Sequence, residues 1–187
     1  MHGNQKQTDW AYIAGVMDSD GCFMIGKRNR KYTGKNKGPK SQGFYNPNYL
    51  PITKIEQKEI DTIKYITEDL GLGYYKLDRT RIRQYENGKR FGSHPIYQWQ
   101  LTNRLKVMNF CKNIIPYLKI KKKRVLHLLN FCENMELKNY GWGRTISKDE
   151  LNYREEAYLK MRKFNGSKVA ATTEPRKSER ISDSLNS

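Results

Sequence analysis

No run of about 18 consecutive apolar residues occurs in the chain, so no segment reads as a membrane-spanning helix. The first residues, Met1 to Thr8, are polar and lack the hydrophobic stretch and cleavage site of a secretory leader. The cysteines Cys22, Cys111 and Cys132 are odd in number and widely spaced, and His2, His94 and His127 are equally scattered. Neither a disulfide framework nor a zinc finger fits that pattern. Acidic residues are scarce: 19 Asp and Glu stand against 36 Lys and Arg, a formal charge of +17 with a sequence pI near 9.8. Such a field draws polyanions, which makes nucleic acid the leading expected partner and a neutral partner a poor one. Together these absences predict an intracellular protein with no membrane partner. Abundant Lys, Asn, Ile and Tyr suit an AT-rich genome, so the expected compartment is an organelle (mitochondrion or chloroplast) or a prokaryotic cytoplasm.

What is present suffices for one core. The 187 residues fit a single domain, and 36% are hydrophobic with 13 tyrosines among them. Thr8-Asp9-Trp10 predicts a helix start capped by Thr8, running to Asp20 and stopped by Gly21 in a left-handed conformation. Cys22 to Arg28 has strand character, 33–43 reads as a mobile hairpin tip, and a second strand is expected from Phe44 to Gln57. From Lys58 to Leu70 the apolar positions Ile60, Ile63, Ile66 and Leu70 recur at helical spacing and predict a second helix, closed by Gly71 and Gly73. Tyr74 to Tyr85 and Pro95 to Thr102 alternate around Glu86-Asn87-Gly88-Lys89 and predict a second hairpin. Helices are expected near Leu105–Ile115 and Lys121–Glu133, separated by Pro116, and over 147–163 behind the capping box Ser147-Lys148-Asp149-Glu150. The expected division is a core domain over 1–134, a helical extension over 135–164 and a flexible polar tail over 165–187. Helix, hairpin, helix, hairpin and helices make an α+β fold with a four-stranded antiparallel sheet packed on helices.

The informative segment is Ile13-Ala14-Gly15-Val16-Met17-Asp18-Ser19-Asp20-Gly21. Ala11, Gly15 and Ser19, four apart, give the helix a smooth side against which another backbone could pack. Asp18 and Asp20 fall in its last turn, where the macrodipole is negative and each carboxylate is disfavoured by several tenths of a kcal/mol. Either they form a plain solvated helix end, or something cationic compensates them. Carboxylates are hard ligands suited to Mg²⁺, and phosphodiester cleavage uses such an ion to activate water and stabilise charge.

The segment closely resembles the signature of the LAGLIDADG homing endonucleases, agreeing at Ala14, Gly15, Asp18, Asp20 and Gly21. Ile13, Val16, Met17 and Ser19 stand where Leu, Leu, Ile and Ala or Gly are usual. The resemblance covers about 8–133 and implies an αββαββα unit whose motif helices pack together at a two-fold axis. It implies that the final acid, Asp20, binds divalent metal, with the backbone carbonyl of Ser19 joining the shell. No second motif follows, so it implies a homodimer, with Ala11, Ala14, Gly15 and Asp18 at the interface. The metal implied is Mg²⁺, with Mn²⁺ able to substitute and Ca²⁺ supporting binding without cleavage. Gln57, in Ile55-Glu56-Gln57-Lys58, matches the strand-end glutamine that assists the water or metal shell; the plain alternative is an exposed strand terminus. Lys121 matches the lysine that reaches the active site; alternatively Lys119, Lys121, Lys122, Lys123 and Arg124 are only a phosphate-contacting cluster. The implied activity is intron-encoded, site-specific cleavage of double-stranded DNA with 3′ overhangs. The rivals are an RNA-binding maturase acting on intron RNA, a non-catalytic DNA-binding regulator, and a single-chain enzyme acting as a monomer.

From Gly21 through Ile55 there is no Asp or Glu, while Lys27, Arg28, Arg30, Lys31, Lys35, Lys37, Lys40 and Lys54 are basic. Strand alternation turns Phe23 and Ile25 to the core and Met24, Gly26, Arg28 and Arg30 to a ligand. Tyr32, Lys35, Lys37, Lys40 and Lys54 extend this surface. The second hairpin adds Tyr74, Lys76, Asp78, Arg79, Arg81, Arg83, Gln98 and Gln100, and Lys119, Lys122 and Lys123 add charge near the motif. Arg or Lys reads guanine and Gln reads adenine in a major groove that admits a two-stranded ribbon; a polar solvent face is the bland alternative. A strand of about nine residues spans about 30 Å, roughly nine base pairs, so two subunits predict a long pseudo-palindromic site.

Overall fold

The computed structural model describes residues 6–28, 47–78, 83–84, 90–91, 95–135 and 146–166. The expected hairpin tip at 33–43, the turn at 86–89 and the tail beyond 166 lie outside the described residues, as do Arg30, Tyr32, Lys35, Lys37, Lys40, Arg79 and Arg81.

Helix α1 (Gln7–Ser19) buries Trp10, Ile13, Ala14 and Met17, positions spaced three and four apart that form one stripe. It starts two residues earlier than expected: Lys6 is the cap, and its N–H donates to the Asp9 carboxylate at 2.7 Å, so Thr8 lies inside the helix. Asp9 thereby satisfies the backbone N–H of the cap residue itself. Strands β1 (Gly21–Arg28) and β2 (Asn48–Gln57) form the first hairpin pair. Helix α2 (Ile60–Lys64) runs into a π-helical turn, Tyr65–Asp69, so the single helix expected over 58–70 widens in its second half.

Strand β3 (Tyr74–Asp78) pairs with β6 (Ile96–Leu101), and the short β4 (Arg83–Gln84) and β5 (Arg90–Phe91) form a separate ribbon between them in sequence. The sheet order is β1-β2-β6-β3, antiparallel throughout, so β2 and β6 are central and β1 and β3 are edges. Helices α3 (Arg104–Ile114) and α4 (Lys122–Asn134) flank Pro116 as expected. Helix α5 (Lys148–Phe164) opens with the Ser147 hydroxyl accepting from the Glu150 N–H at 3.2 Å.

The helices cover one face of the sheet. Phe23, Ile25, Ile55, Trp99 and Leu101 point into the core with α1, α3 and α4, and Phe110 packs against both Trp10 and Trp99. Helix α5 is not an extension of this core but part of it: Ala157 and Met161 are buried in the same cluster, and Asn165 donates to the Phe23 carbonyl at 2.9 Å. Its buried Glu150–Arg154 pair is closed at 2.5 Å.

Gly21 differs from expectation. Positive φ occurs at Gly71, Gly73 and Gly166 among the described residues and not at Gly21. Gly21 is needed for space instead: a Cβ there would lie 2.6 Å from the Met17 Cα and carbonyl oxygen. The chain doubles back tightly from α1 into β1, and this sets where Asp20 sits. Gly21→Ala is expected to destabilise the fold by about 1–3 kcal/mol, because the obstructing atoms are backbone; urea unfolding measures it.

Candidate active site and nucleic-acid interface

Asp20 is the exposed residue between α1 and β1, its N–H closing the helix on the Val16 carbonyl at 2.9 Å. In the β1–β2 register Gly21 pairs with Ile55, so β2 continues two residues past the start of β1 and carries Gln57 to the helix end. Gln57 Nε2 donates to Asp20 Oδ2 at 2.8 Å. A carboxylate can only accept, so this contact fixes which end of the amide faces Asp20. Gln57 Oε1 is left buried and accepts no hydrogen bond from the described residues. A buried acceptor without a donor marks a place for water or an ion.

The rest of the helix end is closed by a second element. The Asp18 carboxylate accepts from three consecutive backbone N–H groups, Lys119 at 2.7 Å, Ile120 at 3.1 Å and Lys121 at 2.9 Å. Lys121 Nζ returns to α1 and donates to the carbonyls of Met17 at 3.0 Å, Ser19 at 2.9 Å and Gly21 at 2.7 Å. The cationic compensation expected for this acidic end is therefore Lys121. Burial alone would raise the Asp18 pKa, but the amides of Lys119, Lys121 and Ile120 and the nearby ammonium outweigh it, holding the carboxyl below its ordinary value. Burial and the neighbouring Arg124 lower the Lys121 pKa against the pull of Asp18, Cys22 and Asp20.

Asp20, Gln57, Ser19 and Lys121 thus come together as the sequence predicts, although the Lys121 ammonium faces carbonyls. Ala11, Gly15 and Ser19 form an exposed smooth stripe on α1, with open space around Gly15. Of the residues assigned to the dimer interface, Ala14 is fully buried in its own chain's core, while Asp18 is half-buried and its carboxylate is held by the residues at the start of α4. Ala14 lies four residues after Trp10 and three before Met17, which puts it on the core stripe.

The sheet face away from the helices carries Met24, Gly26 and Arg28 of β1, Lys54 of β2, Gln98 and Gln100 of β6, and Tyr74 and Lys76 of β3. One row across the strands is Cys22, Lys54, Gln100 and Tyr74; the next is Glu56, Gln98 and Lys76. Asp78 and Arg83 are placed by their backbones in β3 and β4. Glu56 is the residue the sequence reading missed, although its parity with Lys54 puts it on this face. It accepts from Lys54 Nζ at 2.6 Å and from Gln98 Nε2 at 2.7 Å. Lys27 also leaves the expected basic surface: it turns to the helices, pairs with Glu155 at 2.6 Å and lies over the Tyr49 and Tyr158 rings, while the Tyr49 hydroxyl binds the same carboxylate oxygen. Lys119, Lys122 and Lys123 remain exposed beside the motif.

A motif helix ending in an acid at the margin of a four-stranded antiparallel sheet, with two αββ units in succession, is the LAGLIDADG homing endonuclease fold. The archaeal intron-encoded homing endonuclease I-Vdi141I, solved with DNA, is similar at a TM-score of 0.60 and 18% identity, covering 89% of this chain and 89% of that one. I-TnaI, a homing endonuclease, is similar at 0.55 and 19% identity over 81% of this chain and 86% of that one. I-SmaMI, a LAGLIDADG homing endonuclease bound to cleaved DNA, gives 0.57 and 18% over 83% of this chain but 44% of its own. No family model matches the sequence, and no curated relative does.

The Asp18 contacts carry a stability prediction. A carboxylate with a lowered folded pKa contributes stability that is complete above its unfolded value and lost as pH falls through the folded one. Asp18→Asn should therefore cost about 1–2 kcal/mol near neutrality, the scale of a lost helix cap. Its deficit relative to the parent should shrink as pH falls below about 4, read by chemical unfolding at a series of pH values.

Proposed function

We propose that the protein is a divalent-metal-dependent, site-specific endonuclease of double-stranded DNA that acts as a homodimer. The observation that carries this reading is the Asp20–Gln57 pair, a carboxylate held by an amide whose own oxygen is buried and unpartnered. The DNA-bound state of similar folds and the +17 charge support the choice of polymer.

The residues fit a hard divalent cation. Asp20 is exposed and keeps acceptor capacity beyond the one Gln57 contact, and the Ser19 carbonyl has a second lone pair besides the one Lys121 uses. Among the described residues no group of three or more His, Cys, Asp or Glu could hold a metal alone. That matches Mg²⁺, which is bound through one or two carboxylates and completed by substrate phosphates and water. When bound, the ion would activate water and stabilise charge on the phosphate. Gln57 holds one Asp20 oxygen in place and presents Oε1 as an acceptor that can orient an attacking water. The exposed lysines at 119, 122 and 123 bind flanking phosphates, and Gln98, Gln100, Lys76, Arg28 and Tyr74 face the duplex.

One Asp20 per chain serves one strand, so cutting both strands calls for two chains meeting along the Ala11–Gly15–Ser19 stripe. The I-SmaMI comparison supports this, since this chain spans under half of that one. An organellar or prokaryotic intron as its genomic home is supported by the residue usage that suits an AT-rich genome. A purely RNA-binding role would leave the Asp20–Gln57 pair without work.

Cleavage of a randomised duplex library in Mg²⁺, with Ca²⁺ as the binding-only control, tests the proposal and reports the target. Asp20→Asn should lower cleavage about 100-fold or more, the scale of removing one charge-stabilising group, while binding in Ca²⁺ persists. An Asn variant that cuts normally refutes the assignment. Sedimentation should give two chains per duplex.

A further inference from the structure

The ammonium of Lys121 has three hydrogens, and three carbonyls receive them. Two of those carbonyls, Ser19 and Gly21, flank Asp20 on either side, and Met17 lies three residues before it. The backbone N–H of the same Lys121 is held by Asp18, together with the two preceding amides. A closed loop results: Asp18 at the end of α1 fixes the entry to α4, and Lys121 at that entry fixes the backbone around Asp20. The loop also answers two electrostatic needs, since an anion meets the N–H end of one helix and a cation the carbonyl end of the other. A lysine acting on a scissile phosphate needs a free N–H, and none is left here.

We propose that Asp18 and Lys121 are positioning residues, locking Asp20 through this reciprocal clasp, and that Lys121 works through the α1 carbonyls and not on the phosphate. The proposal rests on the nuclease reading for its link to cleavage, while the clasp itself stands on the hydrogen bonds. An arginine would not substitute, because a planar fork cannot converge on three carbonyls as a tetrahedral ammonium does.

The test compares Lys121→Met and Asp18→Asn with the parent chain in three measurements. The first is hydrogen exchange of the amides around Asp20 and of residues 119–121, which needs no DNA. The second is the salt dependence of binding to a mixed-sequence duplex in Ca²⁺. The third is the Mg²⁺ concentration for half-maximal cleavage of the duplex recovered from the library. Both variants should speed exchange at both helix ends and raise the Mg²⁺ midpoint about tenfold or more, as lost support behind a metal ligand does. The salt slope should stay unchanged, and the double variant should be little worse than the worse single one, because both break the same loop.

A Lys121→Met slope reduced by about one per chain, with exchange unaltered, would mark a phosphate contact and overturn the proposal. A lower rate with an unmoved Mg²⁺ midpoint would overturn it too. Asp18→Asn, which keeps an acceptor in place, carries the same readouts if Lys121→Met does not fold. If the parent chain cuts no duplex, the nuclease reading fails, and the exchange measurement still decides the clasp.

Discussion

The end of α1 is where the molecule concentrates negative charge. Free carbonyls, the negative pole of the helix and two carboxylates meet within three residues, and each carboxylate there is opposed by several tenths of a kcal/mol. The chain meets this locally with a segment a hundred residues away: amides 119–121 for Asp18 and the Lys121 ammonium for the carbonyls. Asp20 is then the one acid of the pair left exposed, with a single amide from Gln57 beside it. The order of α4 after the second hairpin therefore matters to the backbone around Asp20, which ties the far half of the sequence to the motif.

The same logic of pairing runs through α5. Glu155 receives both Lys27 and the Tyr49 hydroxyl, so the outer ends of β1 and β2 are tied to a helix that also buries Ala157 and Met161. The strand end that carries Arg28 is thus held from behind. Residues 146–166 pack on the sheet, and a boundary at 134 would cut through the core.

Element order and strand parity were legible in the sequence because they depend on local period. Phe23 and Ile25 against Met24, and Trp99 and Leu101 against Gln98 and Gln100, follow from side chains alternating on a pleated strand. Leu77 has the right parity and is still 59% exposed, because it sits on an edge strand. Asp20 and Gln57 were legible as a pair only through the motif resemblance. What period cannot report is where a long side chain ends. Lys27 and Lys54 looked like free positive charge, and Lys121 like an active-site lysine or part of a phosphate-contacting cluster, and each finds partners set by packing: Lys54 reaches an acid two residues on, while the other two reach across the fold. Gly21 was correctly marked as special, but the reason was the approach of Met17, a through-space fact hidden from any window of sequence.

With those three lysines engaged, the charge on the open sheet face is sorted by strand. The central strands β2 and β6 present Ile52, the Lys54–Glu56–Gln98 cluster and Gln100, close to neutral in sum, whereas β1 carries Arg28 at one edge and β3 carries Lys76, with Asp78 at the same parity, at the other. Four strands about 4.8 Å apart measure about 14 Å from edge to edge, close to the roughly 12 Å width of a major groove. On the nuclease reading the edges then meet the two phosphate backbones, while amides and a carboxylate face base edges at the centre. Phosphate contacts position a protein and base contacts give it sequence preference. On that reading a near-neutral centre flanked by Arg28 and Lys76 would separate those tasks, and Glu56 would fit there, since a carboxylate accepts from cytosine.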